Sequence, residues 1–253
     1  MPTDETLRMA GEIATHLGAQ ATVVVLSGSG MSAESGIPTF RDAQTGIWSK
    51  FRPEELATPE AFARDPGKVW RWYQHRREGV MAAQPHAGHR ALVKLEAMVN
   101  SLVIITQNVD GLHQRSGSGR VLELHGNILR SVCSQSRQLI DPEWITASSQ
   151  QPPPSPHING AYARPDVVWF GEALPGPVLD EAVAALESCS VCIAAGTSAV
   201  VQPAAGLPLL ARQAGALLVE INPQRTPLSN YADYCLREPA GIALAALVSA
   251  CAS

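Results

Sequence analysis

The sequence predicts an α/β fold: a Rossmann-like, doubly wound parallel sheet with a smaller second lobe made of two insertions. Several short apolar runs end abruptly in small polar residues, which is typical of buried parallel strands. Helical patterns separate these runs, so helices and strands alternate along the chain, as they do in doubly wound sheets. Two segments, residues 43–85 and 130–163, break this alternation and are therefore predicted to form the second lobe.

Each of four predicted strands is preceded by a predicted helix. The strands are Ala21–Leu26, Leu102–Ile105, Ser190–Ala195 and Ala216–Ile221. The helices are Thr6–Leu17, Ala87–Val99, Leu179–Glu187 and Leu207–Gln213. Because crossover helices lie on both faces of a parallel sheet, we expect one buried sheet with helices on either side.

The two irregular segments set the expected domain boundaries. Residues 43–85 are rich in Trp and Arg, and residues 130–163 contain QQPPPSPHINGAYA, whose Pro, Ser and Asn residues do not build a core. We therefore expect a sheet domain made of residues 1–42, 86–129 and 164–253. The small lobe is expected to consist of residues 43–85 and 130–163.

The composition indicates a globular protein that binds neither nucleic acid nor membrane. Hydrophobic residues make up 45% of the 253 residues and charged residues 17%, which excludes a disordered chain. The net charge is −4, and no dense stripe of Lys and Arg is present to bind phosphates. No apolar run reaches the roughly 18–20 residues of a membrane span, and the N-terminus lacks a signal-peptide pattern. A cytoplasmic protein is expected.

Polar residues follow all four predicted strands, where ligands bind in open α/β sheets. Turns or helix caps explain each group singly, but four groups at one sheet edge predict a nucleotide-binding crevice. These groups are Gly28-Ser29-Gly30, Gln107-Asn108-Val109-Asp110, Gly196-Thr197-Ser198 and Asn222-Pro223-Gln224. Neither a dehydrogenase nor a P-loop protein fits. The third glycine comes only at Gly36 without an acidic strand end in residues 45–53, and no G-K-[ST] follows the glycines.

Several motifs in order resemble the sirtuins, the NAD-dependent protein deacylases. The first is GSGMSAESGIPTFR at residues 28–41, and QNVD, LHG, RPDVVWFGE and GTS follow it at residues 107–110, 124–126, 164–172 and 196–198. The resemblance spans about residues 20–240, and Ser29 departs from it because alanine is usual there. It implies cleavage of the nicotinamide–ribose bond of NAD and transfer of the lysine acyl group to ADP-ribose.

The resemblance also implies which residues bind NAD and catalyse the reaction. His125 and Asn108 are the expected catalytic residues, and the imidazole of His125 would accept a proton from a ribose hydroxyl. A lone histidine is more often structural, but His125 directly follows the strand-like run Val121–Leu124. The expected NAD-binding residues are Gly28, Ser29, Gly30, Ala33, Thr39, Phe40, Arg41, Gln107, Asn108, Asp110, Gly196, Thr197, Ser198, Asn222, Gln224 and Ala240.

Two further segments are expected to bind the acylated lysine of a protein substrate. Tyr73 and Arg76 are three residues apart, so they share one face of a helix, and together they can bind a carboxylate. This Tyr-x-x-Arg pattern resembles the class III sirtuins, which remove succinyl, malonyl and glutaryl groups, so deacetylation is expected to be weaker. The residues Val168, Trp169, Phe170, Gly171 and Glu172 are expected to offer a strand edge to the substrate backbone.

The cysteines depart from the sirtuin pattern. Sirtuins usually hold a structural zinc with two C-x-x-C pairs, but here Cys133 stands alone, and Pro156 and Asn159 stand where the second pair is expected. Cys189 and Cys192 have the right spacing but lie in an apolar run, so we interpret them as core residues. No bound metal is therefore predicted.

Two other functions remain open at this point. A mono-ADP-ribosyltransferase would use the same NAD crevice but pass ADP-ribose to a protein side chain. A non-catalytic NAD-sensing module would be consistent with the altered zinc lobe. The presence of His125, Asn108 and Asp110 together argues against the sensor, which would not need that set.

Overall fold

Residues 1–38 and 52–252 are described by the computed structural model, and they contain two sheets of different kinds. The strands in chain order are β1 (Thr22–Ser27), β2 (Ser101–Thr106), β3 (Val121–Glu123), β4 (Gly126–Cys133), β5 (Leu139–Ile140), β6 (Ala163–Val167), β7 (Val191–Ala195), β8 (Leu217–Ile221) and β9 (Tyr234–Leu236).

The larger sheet is parallel and has the strand order β3-β2-β1-β7-β8-β9. The strands of this sheet before β7 are added on one side of β1, and those from β7 onward are added on the other side. The place between β1 and β7 where this order reverses is the switch point, at which doubly wound sheets bind dinucleotides. Ser27, the last residue of β1, is in register with Thr106 of β2 and Ala195 of β7. The predicted doubly wound sheet is confirmed, and its ligand-binding edge lies at these three residues.

All four predicted strands are present, each within one residue of its expected start. Both edge strands, β3 and β9, are only three residues long, and β9 was not predicted at all. A three-residue strand with one buried side chain shows no apolar run, so its sequence does not distinguish it from a loop.

The helices cover both faces of the parallel sheet. They are α1 (Asp4–Ala14), α2 (Gly30–Ala33), α3 (Pro53–Leu56), α4 (Pro59–Arg64), α5 (Pro66–Ala82), α6 (Ala87–Glu96), α7 (Leu112–Ser116), α8 (Pro142–Ala147), α9 (Gly176–Ser188), α10 (Leu207–Gln213) and α11 (Ala240–Cys251). Helices α1, α6 and α11 share one core with the sheet, and α9 and α10 share the core on the other face. Among the described residues, no helix has the length and apolar character that a membrane crossing requires.

Helix α1 shows how local sequence sets an element's bounds. The hydroxyl of Thr3 accepts a hydrogen bond from the backbone N–H of Thr6 and thereby caps the helix. The helix begins at Asp4, two residues before its predicted start. Asp4 in the first turn adds a favourable interaction with the helix dipole. Thr6 and Ile13 lie on the buried face, so packing against the sheet completes the stabilisation.

The second lobe contains an antiparallel sheet with the order β5-β4-β6, together with α3, α4, α5 and α8. The Pro, Ser and Asn residues of the second insertion were not expected to build a core, and the buried cluster of this lobe consists of other residue types. Cys133, Ile140, Ala161 and Ala163 form a small buried cluster, and the indole of Trp70 from α5 fills it. One large aromatic side chain from the other insertion therefore supplies the apolar volume that the Pro- and Ser-rich segment lacks.

The antiparallel sheet begins at Gly126 and ends at Val167, a few residues outside the expected segment 130–163. Strand β4 follows β3 almost directly, so the chain passes from the parallel sheet to the antiparallel sheet within residues 124–125. The residue between these strands on the cavity side is His125, which therefore lies at the junction of the two sheets.

Candidate active site

A cavity of about 1030 Å³ lies at the carboxyl ends of the parallel strands. It extends from the switch point toward α5 and the segment after β6. The predicted site residues that line it are Gly28, Ser29, Gly30, Tyr73, Arg76, Gln107, Asn108, Asp110, His125, Val168, Trp169, Phe170, Gly171, Glu172, Gly196, Thr197, Ser198, Asn222 and Gln224. The structure thus brings together residues from every predicted strand end.

Five predicted NAD-binding residues do not belong to that set. Ala33 is exposed at the end of α2, and Ala240 is buried in the core at the start of α11, so neither side chain lines the cavity. The side chain of Ala240 packs among the core residues of the sheet, and its place near the adenine stays a prediction. Thr39, Phe40 and Arg41 lie outside the described residues.

The turns after β1 and β7 contact each other through their backbones. The N–H of Gly30 donates to the carbonyl of Gly196 at 2.8 Å. A Cβ at Gly28 would lie 2.7 Å from the Cα of Thr197, and Gly196 has a φ of +63°. Glycine is needed here because loop packs against loop. The glycines therefore let the turns after β1 and β7 pack closely against each other.

A hydrogen-bonded triad follows β2 at one end of the cavity. The amide of Asn108 donates to the Ser32 hydroxyl at 2.9 Å and to the carbonyl of Gly28 at 3.0 Å. The Ser32 hydroxyl donates to the carboxylate of Asp110 at 2.7 Å, and that carboxylate also accepts the N–H of Leu112. Burial raises the pKa of Asp110, which these hydrogen bonds oppose.

Ser32 was missed as a site residue, although the sequence carried a signal for it. It lies two residues after Gly30, within the motif GSGMSAESGIPTFR at residues 28–41. In the structure it is buried, lines the cavity and links Asn108 to Asp110. A short polar residue directly after such a turn is thus a candidate for the ligand-facing network.

His125 has one ring nitrogen bound to the protein and one available to the cavity. Its Nδ1 lies 2.9 Å from the backbone carbonyl oxygen of Gln107. Since a carbonyl only accepts, Nδ1 carries the proton, and in the neutral imidazole Nε2 keeps its lone pair. Burial lowers the pKa of His125, so the neutral form is favoured. The neutral side chain can therefore accept a proton at Nε2.

Polar side chains after β7 and β8 form the opposite end of the cavity. The hydroxyl of Thr197 accepts a hydrogen bond from the amide of Gln107 at 3.1 Å. The amide of Asn222 donates to the carbonyl of Thr197 at 2.9 Å, and the carbonyl oxygen of its side chain accepts from the N–H of Gln224. These contacts connect the ends of β2, β7 and β8 into one polar wall.

A buried ion pair lies beneath that wall. Glu220 in β8 is almost fully buried, and its carboxylate binds Arg237 at 2.7 Å and Ser229 at 2.6 Å. The same guanidinium group donates to the carbonyls of Asn222 and Gln224 at 3.3 and 3.2 Å. Arg237 therefore ties the loop after β8 to the interior of the sheet.

The segment after β6 differs from its prediction. Strand β6 ends at Val167, and the following residues make a turn in which the N–H of Glu172 donates to the carbonyl of Trp169. The N–H of Phe170 donates to the carbonyl of Ala57. The carboxylate of Glu172 binds Arg164. Residues 170–172 therefore form a turn and are not extended, and the expected pairing of residues 168–172 with a substrate backbone stays a prediction.

Tyr73 and Arg76 lie where the helical spacing predicted, on the cavity side of α5. The indole N–H of Trp169 donates to the Tyr73 hydroxyl at 2.9 Å. The guanidinium of Arg76 lies 5.0 Å from the ring centroid of Trp72 and 5.6 Å from that of Tyr73. Burial raises the pKa of Tyr73 and lowers that of Arg76.

The next residue along α5 is also an arginine, but it has a different role. Arg77 is buried, and its guanidinium donates to the carbonyl of Arg130 at 2.7 Å and to the hydroxyl of Ser131 at 2.9 Å. It therefore ties α5 to β4. By contrast, no carboxylate pairs with Arg76 among the residues that the structure describes.

The small lobe does not fit the zinc site that the resemblance implies. Cys133 is buried, and hydrogen bonds from Ser136 and Ser155 lower its pKa to about 7 even though burial opposes this. His157 uses its Nε2 on the carbonyl of Leu139 at 2.7 Å. Within the described ranges, no group of three or more His, Cys, Asp or Glu side chains could hold a metal ion. One thiolate does not make a four-ligand zinc site.

Residues 28–203 match the sequence model of the Sir2 family. The chain belongs to this family. The sirtuin is 50% identical over 228 residues to NAD-dependent protein deacylase 1 of Archaeoglobus fulgidus, and the match covers 89% of this chain and 91% of the relative.

Solved structures of relatives have the same fold. A Sir2 homologue in complex with NAD has a TM-score of 0.84 and 47% identity, over 94% of the sirtuin and 92% of that chain. A mutant Sir2 homologue in complex with 2′-O-acetyl-ADP-ribose has a TM-score of 0.83 and 45% identity, over 99% and 96% of the two chains. The predicted sirtuin family and enzyme class are confirmed. The class III subgroup and the cytoplasmic location are not specified by these relatives and stay predictions.

Proposed function

We propose that this sirtuin, an NAD-dependent protein deacylase, acts preferentially on lysines that carry succinyl or malonyl groups and removes acetyl groups more weakly. The observation that supports this preference is Arg76. Its guanidinium lines the cavity beside Tyr73, and among the described residues it has aromatic contacts but no carboxylate partner.

The electrostatics of Arg76 favour an anionic ligand. Burial lowers the pKa of its guanidinium, which means that the cation is poorly solvated where it stands. A carboxylate at the end of the acyl chain would provide the missing opposite charge and accept two parallel N–H bonds. An acetyl group has no carboxylate, so it gains nothing from Arg76.

The polar cavity walls fit NAD, which supplies the ribose that receives the acyl group. The residues that would hold it span the switch point, where dinucleotides bind in this fold. From the described part of the chain these are Gly28, Ser29, Gly30, Gln107, Asn108, Asp110, Gly196, Thr197, Ser198, Asn222 and Gln224.

His125 is proposed to act as the general base. Its Nε2 has a free lone pair, because Nδ1 donates to the carbonyl of Gln107. A proton taken from a ribose hydroxyl would reside on Nε2, and the resulting imidazolium would keep its bond to that carbonyl. The backbone is fixed as well, since the carbonyl of His125 accepts the N–H of Val168 at 3.0 Å.

Asn108, Ser32 and Asp110 are proposed to hold the nicotinamide end. Asn108 and Asp110 meet through the Ser32 hydroxyl, so removing any member leaves a buried polar group without its partner. Both N–H groups of Asn108 are already used, so its side-chain oxygen and the Asp110 carboxylate can accept from the NH2 group of a carboxamide such as that of nicotinamide.

The substrate protein is proposed to bind at the mouth of the cavity. Phe170, Val200 and Val201 line the cavity and are exposed by 42%, 52% and 43%. Exposed apolar side chains at an opening offer contacts to the aliphatic part of an acylated lysine and to its neighbours.

We also propose that the small lobe holds no zinc, because the cluster around Trp70 and the hydrogen bonds of Cys133 stabilise it.

The proposed preference is tested with Arg76→Met. Loss of a charge-assisted contact predicts a fall in kcat/KM for a succinyl-lysine peptide of about 10- to 100-fold. The kcat/KM for the matched acetyl-lysine peptide should stay within about twofold, because it makes no such contact. Both rates are measured by mass spectrometry with and without NAD.

The matched control is Arg71→Met, an exposed arginine on the same helix that does not line the cavity. It should leave both rates unchanged. Equal losses on both peptides in Arg76→Met would contradict the preference. Formation of O-acyl-ADP-ribose distinguishes this reaction from transfer of ADP-ribose to a protein side chain.

A further inference from the structure

Trp169 contacts the acyl end of the cavity through its indole nitrogen. The indole N–H donates to the Tyr73 hydroxyl oxygen at 2.9 Å, although the two residues are 96 positions apart. The indole is buried, and its ring lies 5.3 Å from that of Phe62. An indole nitrogen only donates, so Tyr73 is the acceptor in this pair.

Arg164 and Glu172 hold Trp169 in place from the other side. The guanidinium carbon of Arg164 lies 3.3 Å from the centroid of the indole, a cation–π contact. Its two terminal nitrogens bind the Glu172 carboxylate at 2.6 and 2.9 Å. One oxygen of that carboxylate also accepts the backbone N–H of Trp169 at 2.8 Å. Both the ring and the backbone of Trp169 are therefore fixed.

The contact with Trp169 determines what the Tyr73 hydroxyl can do. A phenol hydroxyl donates one hydrogen bond and accepts others, and here its oxygen already accepts. Among the residues that the structure describes, none accepts the Tyr73 O–H. Accepting an N–H also polarises the O–H and makes it a better donor. The hydroxyl is therefore left as a donor to a group that enters the cavity.

We propose that Trp169 is a specificity-determining positioning residue, which keeps the Tyr73 hydroxyl as a donor toward the carboxylate of an acidic acyl group. Arg164 and Glu172 support this role by fixing the indole. The inference rests on the proposed preference for acidic acyl groups and assigns Trp169 and Glu172 a role other than pairing with the substrate backbone. An acetyl group offers no carboxylate, so it does not use this arrangement.

The test is Trp169→Phe, which keeps an aromatic ring and removes the N–H donor. We expect KM for a succinyl-lysine peptide to rise about fivefold, since one polarised hydrogen bond to a charged group is weakened. The kcat for that peptide should change less than about twofold, and KM for the acetyl-lysine peptide should rise by a smaller factor than KM for the succinyl-lysine peptide. A purely structural role would instead lower the turnover of both peptides together.

Two further variants isolate the contact. Tyr73→Phe should lower the succinyl-to-acetyl ratio of kcat/KM, and adding Trp169→Phe to it should lower that ratio no further. Trp70→Phe is the matched control, because this buried indole packs in the small-lobe cluster and does not line the cavity. It should leave the ratio unchanged.

The outcomes separate this inference from the proposed function. If Arg76→Met abolishes the succinyl preference while Trp169→Phe leaves KM and the ratio unaltered, Trp169 does not position Tyr73. The same conclusion follows if Trp169→Phe lowers the ratio as much in the Tyr73→Phe background as alone. If the wild-type enzyme shows no preference for the succinyl peptide, the proposed function itself fails, and the inference with it.

Discussion

At the scale of single residues, hydrogen-bond partners decide which form of a side chain is present. The carbonyl of Gln107 fixes the tautomer of His125, and the indole of Trp169 fixes the Tyr73 hydroxyl as an acceptor on one side. The contrast between Arg76 and Arg77 follows the same logic: among the described residues Arg76 has no carboxylate partner, whereas Arg77 donates to several oxygen atoms. Chemistry at this site therefore depends on neighbours as much as on residue types.

The pH dependence of the reaction follows from the burial of His125. Burial disfavours the imidazolium, so its pKa lies below the ordinary value of 6.5. The neutral base persists to lower pH, and activity is lost only as the pH falls through this lowered pKa. We expect the acidic limb of kcat/KM for an acetyl-lysine peptide to have its midpoint below pH 6.5.

This profile is measured with the acetyl peptide because a succinyl carboxylate would titrate as well. His125→Asn should lose the activity, since an amide is not a base at neutral pH. A midpoint above the ordinary histidine value would show that another group controls the limb, or that a nearby carboxylate outweighs burial.

Residue-scale prediction from the sequence succeeded where the spacing along one element carries the information. The i, i+3 spacing of Tyr73 and Arg76 places them on one face of α5, and the structure has them there. The contact between Tyr73 and Trp169 joins residues on different elements, and no local pattern encodes it. Ser32 could be predicted from the sequence, because it closely follows the glycine-rich turn.

At the scale of elements, the position of the loop after β8 depends on one buried ion pair. Glu220 points into the protein from β8, and Arg237 directly follows β9. Arg237 binds the Glu220 carboxylate and also donates to the carbonyls of Asn222 and Gln224. Arg237 and Glu220 therefore hold the loop that forms the polar wall at this end of the cavity.

Arg237→Met should destabilise the protein and weaken NAD binding. Removing one partner leaves the Glu220 carboxylate buried without its counter-charge, which costs about 3 kcal/mol of unfolding free energy. The KM for NAD should rise while KM for the acyl peptide stays close to wild type, because only the loop after β8 loses its support. Urea denaturation and steady-state kinetics measure the two effects.

The surface pair of Arg212 and Asp233 provides the control, since both side chains are about a third exposed or more. Arg212→Met should cost less than about 1 kcal/mol and leave KM for NAD unaltered. If Arg237→Met lowers stability without any effect on KM for NAD, the ion pair supports the fold but not the cofactor loop.

Element prediction was most successful for the central strands. Apolar runs such as residues 21–26 are long enough to identify a buried strand from the sequence. The prediction for the segment after β6 was less successful. Its apolar residues belong to a turn, which the contact between Glu172 and Arg164 closes. Hydrophobic residues predict burial there but not backbone pairing.

At the scale of the whole molecule, the small lobe is held by packing and hydrogen bonds from two insertions. Trp70 comes from one insertion, and Cys133, Ile140 and Ala163 come from the other or from its edges. The two insertions share this cluster, so its packing depends on residues that are distant in the sequence. Long-range contacts of this kind are not visible in either segment separately.

The proposal that the small lobe holds no zinc leads to a prediction about the purified protein. Because one cysteine thiolate lies in the small lobe and His157 is bound to a carbonyl, we expect much less than one zinc per chain. Treatment with a strong chelator should leave the melting temperature and the deacylation rate unchanged. A stoichiometric zinc content, or a lower melting temperature after chelation, would contradict this.

Helix α5 has a consequence for how acyl preference can change. Trp70 and Arg77 attach the helix to the lobe, and Tyr73 packs in a buried cluster, whereas the half-buried Arg76 faces the cavity. Substitutions at position 76 can therefore alter the accepted acyl group without removing the contacts that anchor the helix. In evolutionary terms, this separation lets new substrate ranges arise by one replacement at little risk to the scaffold.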